Sequence, residues 1–250
     1  MATVVYVNEL DFDKHCHLNK IYVNKEKQFR LVKIHTSSTD RNPLRIQLDG
    51  GGRIPDNFGV SINEKSGKTM FTFNISDENE YAKLREFEGV VCSYAKGHKE
   101  EWWPSNKGIK DGQVEDNMMS LLSERKPKED SETGEFWPSN CKTVVPMTAE
   151  SEVTDCVFLD ENGKPITLND LPGRRWGKII IELSQIYFSG KLGWGFGPKT
   201  IRFVQLAPSA YAPPSDVDFA ALALPRQEIE HKVQEEETPR PPKKRARQEY

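Results

Sequence analysis

At 250 residues, with 36% hydrophobic and 29% charged side chains, the chain has room for one large domain or two small ones but is wetter than a typical globular protein. A net charge of -3 argues against a surface coated in cations, and no apolar run approaches the roughly 18 residues of a membrane span. The cysteines (Cys16, Cys92, Cys141, Cys156) form no C-x-x-C pair, and Met1 to Tyr6 carries no basic, apolar leader, so reduced thiols are expected rather than a secreted disulfide scaffold.

Short β-branched or aromatic runs open the chain at Val4 to Val7, Ile21 to Val23 and Phe29 to Ile34. Leu44-Arg45-Ile46-Gln47-Leu48 alternates with period two, the mark of a half-buried strand. Phe58 to Ile62 and Met70 to Ile75 follow as further strands. A helix is predicted next. Ser76 or Asp77 can cap it, Glu78 and Glu80 suit its first turn, Tyr81, Leu84 and Phe87 line one face, and Gly89 can end it.

From Lys107 to Glu135 eight acids stand against five bases, which reads as a long surface excursion. Asn117 to Leu122 can form one short amphipathic helix inside it. Strands resume at Lys142 to Val145, Val157 to Leu159, Gly177 to Phe188 and Thr200 to Leu206. Mostly short strands with one or two helices predict a mainly β fold, a barrel or sandwich with long loop insertions. That domain spans 1–207, with the acidic insertion at about 107–135; a Pro- and charge-rich tail, 208–250, has little to bury and is expected to be disordered.

One hexapeptide occurs twice. Glu101-Trp102-Trp103-Pro104-Ser105-Asn106 and Glu135-Phe136-Trp137-Pro138-Ser139-Asn140 share E-aromatic-W-P-S-N. A strand end, with Trp packed inside and Pro-Ser-Asn turning the chain, is preferred over a ligand-stacking role, because large aromatics mostly pack.

The stretch Leu171 to Gln205 carries six cations, Arg174, Arg175, Lys178, Lys191, Lys199 and Arg202, against Glu182 alone, a balance of +5. Trp176, Tyr187, Phe188, Trp194, Phe196 and Phe203 are interleaved with them. Cations neutralise phosphates and ring faces stack on bases of any identity, so this mixture suits single-stranded nucleic acid. Glycines at 190, 193, 195 and 197 suggest a mobile loop between two strands that presents Trp194 and Phe196 outward. A long hairpin with its aromatics folded back on the barrel is the competing reading; the basic flanks tip toward binding. A second Gly-rich loop, Leu48 to Pro55, carries Arg53.

Other chemistry finds little support. His15-Cys16-His17 invites a zinc site, but a second ligand pair is missing and Cys92 and His98 stand far off in sequence. No G-x-S-x-G, H-E-x-x-H, deaminase, kinase or Walker pattern occurs, so no enzyme, metal or nucleotide cofactor is expected. Lys243, Lys244, Arg245 and Arg247, flanked by prolines, fit a nuclear import signal.

Arg41 to Leu48 followed by Phe58-Gly59-Val60 resembles the N-terminal part of the single-stranded-DNA-binding proteins of large nucleo-cytoplasmic DNA viruses, phycodnavirus-like ones especially. Met70 to Phe87 is similar to that family's strand and helix. Gly177 to Leu183, Ile186 to Trp194 and Phe203 to Leu206 resemble its closing strands, so the likeness covers about 40 to 207. It implies an OB-fold akin to phage replication proteins, with the groove at Lys178, Tyr187, Lys191, Trp194 and Lys199 and a tail that recruits replication partners. The expectation is a non-enzymatic protein that binds single-stranded DNA in viral replication, recombination or repair, in the nucleus. The alternative is a β-barrel assembly protein of such a virus that docks protein partners.

Overall fold

The computed structural model describes residues 4–206 except 25–28, 40, 54–58, 65, 76, 107, 129–135, 148–152, 154 and 172–175, and without the side chains of 24, 49–53 and 169. The expected tail, 208–250, and its basic cluster lie outside the described residues. In chain order the described elements are β1 (Val4–Tyr6), α1 (Phe12–His15), β2 (His17–Leu18), β3 (Tyr22–Asn24), β4 (Phe29–His35), β5 (Leu44–Arg53), β6 (Val60–Ile62) and β7 (Thr69–Ile75). They continue with α2 (Glu78–Gly97), α3 (Lys99–Trp102), α4 (Asp111–Asp116), β8 (Met118–Met119), β9 (Ser139–Val144), β10 (Val157–Leu159), β11 (Trp176–Ser189) and β12 (Gly193–Gln205).

The fold is mainly β, as expected, and five strands close on themselves. β5 pairs with β7, β7 with β9, β9 with β12 and β12 with β11, and β11 returns to β5. Closure removes the exposed edges an open sheet would present. All these pairings are antiparallel except β9 with β12, which meet in parallel at Val144 and Lys199. The architecture is an OB-like barrel with long insertions.

The period-two pattern explains the filling. Leu44, Ile46 and Leu48 of β5, Phe71, Phe73 and Ile75 of β7, and Ile179, Ile181 and Leu183 of β11 are all fully buried. Phe71 meets Phe158 and Phe203 edge to face, with centroids 5.4 and 5.6 Å apart. Burying each such side chain stabilises the fold by roughly 1.5–3 kcal/mol.

α2 covers one end. Asp77 caps it, accepting the Asn79 and Glu80 amides at 2.8 and 2.9 Å. The helix does not stop at Gly89 but runs to Gly97, because Val91, Cys92 and Ala95 extend the buried stripe of Leu84 and Phe87. That packing outweighs the cost of one interior glycine, about 1 kcal/mol.

Three further expectations are corrected. The segment Asn117 to Leu122 is not helical: Met118 and Met119 form β8 alongside Trp194 and Gly195 of β12. The excursion is also built into the body. Val114, Leu121 and Leu122 are buried, and Lys96 and Lys99 reach Glu115 and Asp111 at 2.6 and 2.7 Å. The Gly-rich stretch is likewise strand rather than loop. Ser189 pairs with Gly193, so the connection shrinks to residues 190–192, with Gly190 at φ 60° making the turn. Gly195 is required by close approach, since a Cβ there would sit 2.5 Å from the Met119 carbonyl oxygen.

The two hexapeptides part ways. Trp102 and Trp103, each 1% exposed, pack edge to face on Phe188 and Trp194, and Asn106 closes a turn onto the Trp103 carbonyl. In the second copy Pro-Ser-Asn leads straight into β9, and Phe136 and Trp137 are 53% and 59% exposed. Burial is therefore the correct reading for the first copy and not for the second.

Candidate nucleic-acid interface

On the barrel wall a groove of about 860 Å³ crosses β7, β9, β12 and β11. Its polar lining comes from alternate strand positions that face away from the core. Asn140 and Lys142 of β9 are exposed, whereas Ser139, Cys141 and Thr143 between them are buried. Lys199 of β12, Gln185 and Tyr187 of β11, and Asn63 and Lys68 from the β6–β7 turn complete it. That turn is fixed by Asn63, whose carbonyl oxygen accepts the Gly67 amide at 2.7 Å and whose side-chain oxygen accepts the Ser66 amide at 3.0 Å.

One wall belongs to the excursion. Residues Ser120 to Ser123 line the groove and are tied to α2 through Glu88. Its buried carboxylate accepts the Leu121 amide and the Ser120 hydroxyl (2.7 Å), and pairs with Arg85 at 2.9 Å. Apolar side chains of Met70, Leu121, Val144 and Phe196 complete the lining.

The groove is electropositive. Lys68, Lys142 and Lys199 line it, and none of its described lining residues is a carboxylate. Two acids stand behind the lining: Glu88, already engaged with Arg85, Ser120 and Leu121, and Glu182. The Glu182 carboxylate is held by Arg45, with both Nε and a terminal nitrogen at 3.1 Å, and lies 3.9 Å from the Lys199 ammonium. The Lys199 contact is long for a hydrogen bond, which leaves this ammonium able to turn toward an anion. The Tyr187 hydroxyl donates to Met119 Sδ at 3.5 Å, and burial pushes its ionisation upward, so it stays a neutral phenol. Cations above a partly apolar floor with one phenol ring can neutralise phosphates and stack a base.

Of the residues expected from sequence, the structure brings together Tyr187, Phe196 and Lys199. Phe196 contributes little surface, for it is buried, with its ring centroid 5.9 Å from that of Phe87. Trp194 is corrected outright: it is 0% exposed, and its indole N–H donates to the Val114 carbonyl at 2.7 Å. It cannot reach a base without unfolding its surroundings. Lys178 is 3% exposed, within the β11 ladder opposite Val204, and is no surface cation. Arg202 is half-buried opposite Val157 of β10, and Lys191 is exposed at the hairpin turn; neither lines the groove. Arg53 ends β5 opposite Asn74 and Trp176, with its side chain outside the described residues. Arg174 and Arg175 also lie outside them.

Sequence reasoning missed Lys68, Asn140 and Lys142. The alternation in Ser-Asn-Cys-Lys-Thr-Val at 139–144 was a usable signal for the last two.

Neither a protein-family model nor a curated protein sequence matches the chain significantly. Solved structures do align with it. A C-terminally truncated single-stranded DNA-binding protein from bacteriophage Enc34 is 11% identical, with 75% of this chain and 95% of that one covered and a TM-score of 0.38. The Enc34 protein in complex with single-stranded DNA is 10% identical, covering 76% and 91%, with a TM-score of 0.34. The bacteriophage T7 single-stranded DNA-binding protein gp2.5 is 13% identical, covering 68% and 94%, with a TM-score of 0.32.

Proposed function

We propose that the chain is a non-enzymatic single-stranded DNA-binding protein of viral DNA replication, recombination or repair, and that the barrel-wall groove holds the strand. The observation that carries this reading is the groove itself. Three lysines from three separate parts of the chain converge on one surface with Tyr187, and no described carboxylate lines it. Three acids away from the groove are held in ion pairs, Asp111 and Glu115 with lysines and Glu78 with Arg125 at 2.5 Å. A groove of one sign on an otherwise acidic body concentrates a polyanion along one path. The sequence resemblance to viral single-stranded-DNA-binding proteins points the same way. In this reading Lys243, Lys244, Arg245 and Arg247 direct nuclear import and the tail contacts replication proteins.

Fluorescence anisotropy with labelled single-stranded DNA, duplex and RNA of equal length tests it. The account expects single-stranded DNA to bind more tightly than duplex, with affinity falling as salt rises. Absence of single-strand binding at low salt would overturn it in favour of a protein-docking barrel.

A further inference from the structure

We infer that the bound strand continues beyond the groove into a second recess, where Trp137 stacks on a base; this rests on the single-strand reading above. The recess, about 380 Å³, is lined by Ser61, Thr72, Asn74, Trp137 and Pro138, and it shares Asn140 and Lys142 with the groove. A strand lying over Lys142 therefore has a continuous surface from Tyr187 to Trp137.

Trp137 is built for contact rather than left over at a loop tip. Its amide donates to the Lys126 carbonyl at 2.8 Å, and Phe136 beside it forms an antiparallel bridge with Pro127. The backbone is thus fixed while the indole is 59% exposed. The Lys128 ammonium stands 5.5 Å from the ring centroid, placing a cation where a phosphate next to a stacked base would pass. Asn74 adds an independent pointer. Its side-chain oxygen is buried without a hydrogen-bond partner among the described residues, a polar group that a donor on a base edge can satisfy. The twin hexapeptide sharpens the contrast: the same W-P-S-N at 103–106 serves the core, so the exposure of Trp137 is not imposed by the motif.

The test is Trp137→Ala and Trp137→Phe in the full chain, measured on oligothymidylates of roughly six and fifteen nucleotides, within the range one such barrel covers. Trp137→Ala should weaken the longer oligonucleotide roughly 5- to 150-fold and leave the shorter one unchanged. Trp137→Phe should restore most of that loss. In a Trp176→Phe background, which removes the half-buried fifth tryptophan, emission should be quenched by the longer oligonucleotide, and adding Trp137→Phe should abolish the quench, because Trp102, Trp103 and Trp194 are buried. Thermal melting should be unchanged in both variants. If Trp137→Ala binds both lengths like wild type, or weakens both equally, the continuation is wrong while the groove reading stands. If wild type binds neither length, the groove reading itself fails and this inference with it.

Discussion

Truncating Trp194 separates the two roles its sequence context allows. The side chain is fully buried, with ring centroids of Trp102 and Trp103 at 5.8 and 6.1 Å and its N–H 2.7 Å from the Val114 carbonyl. Removing a buried Trp to Ala costs roughly 3–5 kcal/mol. Leaving the Val114 carbonyl without its donor adds about 1–3 kcal/mol. That total is comparable with the whole stability of an ordinary domain, about 5–15 kcal/mol. Trp194→Ala should therefore be largely unfolded. Trp194→Phe retains much of the ring packing but not the donor, and should lose about 1–3 kcal/mol. Urea denaturation followed by far-ultraviolet circular dichroism reads both. A Trp194→Ala protein as stable as wild type, yet defective in single-strand binding, would refute the packing argument and return Trp194 to the surface.

Glu88→Ala should destabilise by roughly 1–3 kcal/mol, because the Leu121 amide and Ser120 hydroxyl lose their acceptor; faster proteolysis within 118–128 checks it, and an unchanged cleavage rate contradicts it. Gly195→Ala should cost about 1–3 kcal/mol, since the new Cβ meets the Met119 carbonyl and backbone cannot step aside; a neutral variant in thermal melting would show that β8 is not held against β12. Burial raises all four thiols, Cys16 and Cys156 to about 12, so they stay protonated at pH 8. A disulfide reagent at that pH should label the native protein slowly and the denatured protein at once; a fast native phase would place a thiol at the surface.

The barrel was legible where periodicity spoke. Leu44, Ile46 and Leu48 alternate, and they are the inward face of β5. It was illegible where local chemistry and long-range packing disagree. Glycines 193, 195 and 197 suggest freedom, yet all three sit in β12, and at 193 and 195 neighbouring backbone comes too close for a Cβ. Asn117 to Leu122 has the spacing of a short helix, but pairing with β12, some 75 residues onward, decides its conformation. The site failed for a related reason. Counting charges along 171–205 cannot tell Lys178, buried in the β11 ladder, from Lys199, which lines the groove. Lys68 and Lys142 join Lys199 only because β9 lies between β7 and β12 in the closed sheet.

The central claim is that the barrel-wall groove holds the phosphates of a single strand, and the salt dependence of affinity tests it most directly. Each phosphate contact contributes roughly 0.7 to the log–log slope for single strands. Lys142→Gln together with Lys199→Gln should flatten the slope by about 1.4 units. Lys20→Gln, an exposed lysine that does not line the groove, should leave it as in wild type. Equal slopes for the double variant and wild type, with both folded, would contradict the account.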